Sequence, residues 1–392
     1  TEEVLVAELE ELFGDAARLG LPYPYGALSL VEIPNNLRGY GGGWRADSVQ
    51  SLPATLLLRE SSFPTARFER PFSNEEAVAE MEQGEGGLPA AKLEVISQFF
   101  ENDFSGGNIF LGASRNFAYF QASATGEGAI ALNFVVDELA NLVLTGRHGY
   151  FSAHEFSTNG NVLIGETITQ MASGQSDSIA DSVMSAASDK PSVWDRALGT
   201  SLGSLEPGDN PRESLNVLAM KSRAIAQSIL DGLGRERAAA VLSELLSRNR
   251  GKHYTEADFN AAAAAAGANV DELLGDWLND AALPGFLVST VTAVRLRDDE
   301  TGTPRYQTTL HVRNDEPAPG LLYLRYREAH KEARKEAEWD KTEPVRVNAM
   351  SSVEVGIVSV LPLSDLRLVP YLSLNRDEVE LTFPKADAET QV

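Results

Sequence analysis

The spacing of apolar positions divides the chain into a helical part and a strand-rich part. Residues 2–20 put Val4, Leu5, Leu9, Leu12 and Phe13 on one face, the spacing of an amphipathic helix. Pro22 and Pro24 end it, and Leu28–Ile33 alternates as a strand does. A Gly-rich loop over 35–53 leads to a second strand at Ala54–Glu60. Residues 75–103 read as mostly helical with a break at 84–89, and 108–124 as one or two strands. From 131 the spacing of Leu132, Val135, Val136, Leu139, Leu142 and Val143 predicts a buried helix with a polar group in its middle, Asp137-Glu138-Leu139-Ala140-Asn141. Glu166 stands in a second helical pattern, and 176–203 is helical and rich in small residues. After a turn at 206–214, helices are expected from Ser214 to about Gly232, over 235–249, and from Thr255, where Thr255 and Asp258 form a variant of the capping box. The alanine run 261–266 is a strong helix former.

From Leu287 the pattern changes. Runs such as YQTTLHVRN, GLLYLRYR and VRVNAMSSVEVGIV are β-rich and separated by turn residues, which predicts a β-sandwich. The charged run 327–341 inside it is expected to be a solvated excursion between strands. The chain therefore reads as α+β overall: an α+β domain over 1–175, a helical domain over 176–284 and a β-sandwich over 285–392.

Composition narrows what such a chain does. With 392 residues and 43% hydrophobic content it can bury large cores. A net charge of −24 offers no basic stripe for phosphates and argues against nucleic acid and against an anionic membrane surface as partners. The absence of cysteine excludes disulfides, thiol catalysis and cysteine–zinc sites. No run of 18 apolar residues occurs, so no membrane-spanning segment is expected. The start at Thr1, without a signal-like segment, reads as a processed chain or a piece of a longer one, flanked in that case by segments outside it. No Lys-Ser/Thr follows the glycines of 35–53, so they are not a phosphate loop, and no G-x-S-x-G nucleophile elbow occurs.

The candidate chemistry lies in the 131–172 stretch. A zinc-peptidase helix carries HExxH, with two imidazoles on one helix face and a Glu that activates the metal-bound water. Here the frame is D-E-x-x-N: Glu138 stands at the water-activating position, and Asp137 and Asn141 at the imidazole positions. Asp137, Asn141 and Glu166 would be an oxygen-only set, suited to a hard cation rather than to zinc. His148 and His154 read as solvent-exposed loop residues, with His154 the weak alternative ligand, and His253 has no neighbouring cluster.

Several landmarks fall in one order. LPYPYGALSLVEIP, VVDELANLV, LIGETITQMA, LNVLAMKSRAIAQSILDGLG and TEADFNAAAAAAGANVDELLGDWLNDAALPGF resemble successive motifs of the aminopeptidase N-type gluzincins, zinc metallopeptidases, over about 20–290. SVQSLPATLLLRES resembles the branch fused to ABC-transporter permeases. The resemblance implies a thermolysin-like peptidase domain, followed by the helical domain, with zinc held at the positions of Asp137, Asn141 and Glu166. It also implies a transition-state tyrosine two residues before Lys221. That position is Ala219, which has no hydroxyl; loss of one such donor typically costs about 100- to 1000-fold in rate.

The expectation is a catalytically inactive, metallopeptidase-like extracytoplasmic domain, periplasmic or at the cell surface, that binds a peptide or protein partner in an ABC-transporter assembly. No catalytic residue and no cofactor are expected. Two alternatives stand beside it. One is a metal-dependent peptidase that uses Asp137, Glu166 and His154 with zinc. The other is a purely structural subunit that contacts a partner through its acidic surface or its β domain.

Overall fold

The structure is a computed structural model. It describes residues 2–33, 38–39, 48–49, 52–59, 78–79, 82, 87–88, 116–146, 193–205, 211–329, 339–375, 378–382 and 387–391. It is an α+β chain: a helical core with short parallel strand pairs, followed by one antiparallel and one mixed sheet packed face to face. Among the described residues no helix is long and apolar enough to cross a membrane.

Helix α1 (Glu2–Arg18) buries Leu12 and Ala16, and Phe13 stacks on Tyr23 with ring centroids 4.3 Å apart. Strands β1 (Ser29–Ile33) and β4 (Thr55–Arg59) pair in parallel, as do the two-residue strands β2 (Arg38–Gly39) and β3 (Ser48–Val49). The aromatic segment at 116–121, expected to be strand, is a turn. Its buried Asn116 accepts a hydrogen bond from the Ala54 backbone N–H at 2.6 Å, next to β4. Just after it, strand β5 (Ser123–Ala124) pairs in parallel with β6 (His253–Tyr254).

Helix α2 (Ala129–Thr145) lies between two left-handed glycines, Gly128 and Gly146. Glycine takes that conformation without steric cost, so the chain can turn sharply at both ends. Thirteen of its residues are buried, including all from Phe134 to Leu144. A helix covered this completely is a central element rather than a surface one. Short helix α3 (Val193–Leu198) precedes α4 (Pro211–Leu233), which packs along α2. Helix α4 starts three residues before the expected Ser214, because Pro211 suits the first helical position, where its missing N–H is not needed. Helix α5 (Arg235–Asn249) follows after Gly234. Arg235 ties three helices together: it donates to the Val143 carbonyl of α2 at 2.7 Å and to Asp15 of α1 at 2.6 Å. The hydrogen bond from Arg235, then its charge and that of Arg18, hold the Asp15 carboxyl below its ordinary value.

Helix α6 (Glu256–Ala265) has a full capping box, with Thr255 and Asp258 each bonding the other's backbone N–H. Helix α7 (Val270–Leu274) is capped by Asn269. Trp277 packs edge-on against the fully buried Phe259. One apolar core joins α1, α2, α4, α5, α6 and α7, from Leu12 to Leu278.

The sandwich begins with β7 (Phe286–Val288) and β8 (Thr292–Leu296). It continues with β9 (Arg305–Asn314), β10 (Gly320–Glu328), β11 (Asp340–Lys341), β12 (Val345–Val347), β13 (Ser351–Ser359), β14 (Leu363–Pro370), β15 (Val379–Glu380) and β16 (Asp387–Gln391). One sheet has the order β11-β10-β14-β15, with β12 also on β10; the other has β13-β9-β8-β16, with β7 also on β9. Alternate residues such as Leu310, Val312, Leu322, Leu324, Leu366 and Leu368 meet in one core between the sheets. Helices and sandwich join through Tyr371, whose hydroxyl donates to Asp231 of α4 at 2.6 Å, and through an Arg346–Glu272 ion pair at 2.5 Å. In the charged excursion, residues 330–338 lie outside the described residues. Trp339 at its end sits among three guanidiniums, those of Arg325, Arg327 and Arg367, at 4.3–4.9 Å from their centres.

Candidate functional site

The polar group predicted on the central helix is there. Asp137, Glu138 and Asn141 all lie on α2, with Asp137 and Asn141 one turn apart on the same face. They are sealed: Asp137 and Asn141 are 2% exposed and Glu138 is 0% exposed. Carboxylates are almost never buried unless paired. For Glu138 a partner is Arg223 of α4, itself 5% exposed, with Nε 3.8 Å from Glu138 Oε1. Glu138 thus lies in a closed ionic contact between two helices.

Tyr254 of β6 closes another side. It is fully buried, and its hydroxyl lies 3.4 Å from Asn133 Oδ1 of α2. Burial, and then the Asp137 carboxylate, push its phenol well above the ordinary value, so it stays neutral.

Helix α4 also carries Ala219 and Lys221. Ala219 is 1% exposed. Lys221 lies two residues from Arg223, about 200° round the helix, and so serves a different face. Its ammonium donates to the Thr200 carbonyl at 2.5 Å. It lines a cavity of about 30 Å³ between the helices and the sandwich, together with Trp277, Asp280, Leu321 and Tyr371. That is room for a water molecule or two, not for a substrate. Burial lowers the Lys221 amine from 10.5 to about 8, with Asp280 opposing the shift.

The sign of the resulting pH dependence follows. Below about pH 8 both folded and unfolded chains carry this proton, and the cost of burying the charge is present in full. Between about 8 and 10.5 the unfolded chain binds more protons, so this group adds stability as pH rises. Lys221→Met is expected to remove that rise. Denaturant melts of wild type and variant across this window, read as a difference, check it.

Glu166, His154 and His148 lie outside the described residues. Among the described residues no group of three His, Asp or Glu side chains is placed to hold a metal ion. The described donors also do not fit zinc. Asn141 is a weak ligand for it, and the Arg223 guanidinium already sets a positive charge against Glu138. His253 does have a neighbour: its Nδ1 lies 2.9 Å from Ser123 Oγ across the β5–β6 bridge. Among the described residues no carboxylate orients that exposed imidazole, so the pair lacks the third member of a nucleophilic triad. A larger cleft of about 660 Å³ lies beside α7, lined by Arg237, Asn260, Asp271, Glu272 and Arg346. Burial, then Asp276, raise the Asp271 carboxyl there.

Sequence reasoning missed Arg223. It stands directly after the polar Lys221 and Ser222 on α4, so the local spacing does not mark it.

No family model matches this chain, and no curated protein does. Among solved structures, Legionella pneumophila aminopeptidase A in complex with aspartic acid is 12% identical, with a TM-score of 0.32 over 64% of this chain. The match spans 24% of the length of that aminopeptidase. The putative ApaA protein from Bordetella pertussis is 13% identical, with a TM-score of 0.19 over 28% of this chain and 98% of its own. Pseudomonas fluorescens alkylpurine DNA glycosylase AlkC, bound to DNA containing an abasic site analog, is 11% identical, with a TM-score of 0.18 over 74% of each chain. None of these overlaps is close enough to assign a shared fold.

Proposed function

We propose that this chain is a catalytically inactive, metallopeptidase-like interaction protein, and that its partner contacts lie on its surface. The parent layout would be the thermolysin-like domain of the aminopeptidase N-type gluzincins, and the setting extracytoplasmic, as part of an ABC-transporter assembly. One observation carries the inactive reading: Asp137, Glu138 and Asn141 are buried to 2% exposure or less, with Arg223 beside Glu138. A general base must come within hydrogen-bond reach of a substrate or its water, and a sealed carboxylate beside a guanidinium does neither. The same sealing favours a surface contact over peptide binding at the old centre. The test is hydrolysis of a mixed peptide substrate, with and without added zinc, by wild type and Asp137→Asn. The expected result is no turnover attributable to either. Zinc-dependent turnover lost in the variant would overturn the proposal.

A further inference from the structure

The sheet β13-β9-β8-β16 has two different edges. At one, the chain's own β16 lies parallel along β8. At the other, β13 pairs with β9 over nine residues without a bulge, and among the described residues no strand lies on its far side. Edge strands expose a row of unpaired N–H and C=O groups, and proteins usually blunt them with lysine, proline or a bulge. Strand β13, SSVEVGIVS, has none of these. Its one charge is Glu354, which pairs with His311 of β9 at 3.2 Å. Along its outward face and just past its ends lie three exposed apolar side chains: Val358 at 55%, Val360 at 51% and Met350 at 69%.

We propose that β13 is a self-association edge, at which two copies of this chain pair antiparallel about a two-fold axis through Val355 and join their sheets into one. Self-complementarity selects this register. Strand β13 alternates, with Val355, Ile357 and Ser359 buried and the residues between them exposed. Centred on Val355, the inward face brings Val353 of one copy to Ile357 of the other. On the outward face Glu354 meets Gly356 and Ser352 meets Val358. The single carboxylate therefore faces a residue with no side chain. A shift of one residue would turn the inward face out. A centre on Glu354 would set two carboxylates opposite each other, and a centre on Gly356 would set each Glu354 against the apolar Val358. The net charge of −24 on each copy opposes association at long range, so pairing strengthens with salt. The inference rests on the sandwich edge alone and is independent of whether the α2 centre is inert.

Gly356 gives a clean test. Its φ is not positive, and an added Cβ would meet only the end of Gln307 at 3.7 Å, so a single copy tolerates a side chain there. Sedimentation equilibrium of the full chain at roughly 0.1 mM is expected to show a dimer whose affinity rises with salt. Gly356→Glu sets a carboxylate against Glu354 of the second copy, twice by symmetry, and is expected to weaken the dimer at least about tenfold. Gly356→Lys meets the same Glu354 and is expected to keep or tighten it. The opposite effects of two bulky substitutions at one site cannot come from a shared loss of strand stability. A monomeric wild type at all salt concentrations, a dimer indifferent to Gly356→Glu, or equal weakening by both variants would overturn the proposal.

Discussion

Arg223→Met is expected to destabilise the chain by about 3–5 kcal/mol, because it leaves the carboxylate of Glu138 buried without the adjacent guanidinium. Both groups are almost wholly removed from water, Glu138 at 0% and Arg223 at 5% exposure, so solvent cannot replace the lost charge. The converse experiment separates pairing from packing. A buried ion pair exchanged for two apolar side chains of similar volume is often neutral or stabilising, since two desolvation penalties disappear together. Glu138→Leu with Arg223→Met is therefore expected to recover most of the loss. Urea melts of wild type, the single variant and the double variant provide the check. A single variant within about 1 kcal/mol of wild type would show that the pair contributes as little as an exposed one.

The second large effect is expected at the joint between helices and sandwich. Gly320 opens β10 where the sheet meets the segment leaving the helices. A Cβ at this position would lie 2.7 Å from Pro284 Cβ and 3.0 Å from Phe286 Cζ. Neither neighbour moves easily: one is a pyrrolidine ring, the other a side chain 3% exposed in the sandwich core. Gly320→Ala is expected to cost about 1–3 kcal/mol by overpacking. The disturbance should spread to the joint, where the Leu374 N–H donates to the Pro284 carbonyl at 2.8 Å and the Phe286 N–H to Asn375 at 2.7 Å. Hydrogen exchange at Phe286 and Leu374, faster in the variant than in wild type, would locate it.

Where local pattern and tertiary packing agree, elements could be read directly from the residues. Helix α5 ends where Gly234 and the 3.6-residue spacing put its bounds, and the Thr255–Asp258 cap is present as written. The period-two runs after Leu287 became strands with their alternate residues in one core. Misreadings arose where a distant partner decides. The aromatic residues of 116–121 suggested a strand, yet there Asn116 reaches across to the Ala54 backbone and the chain turns. The β-rich run 345–358 divides into β12 and β13, with Met350 between them at a φ of 51°, which interrupts the strand.

The position of Glu138 on a buried helix was legible because α2 is apolar on almost every side. Its burial beside Arg223 was not, because an ion pair between residues 85 positions apart leaves no trace in the spacing of either helix.

The measurement that bears most directly on the proposed inactivity of the α2 centre is the hydrolysis assay combined with zinc titration on the same purified chain. Calorimetry should detect no stoichiometric zinc whose binding depends on Asp137, and no peptide turnover should separate wild type from Asp137→Asn. One zinc per chain, lost together with turnover in Asp137→Asn, would contradict the account and restore the centre as a working metal site.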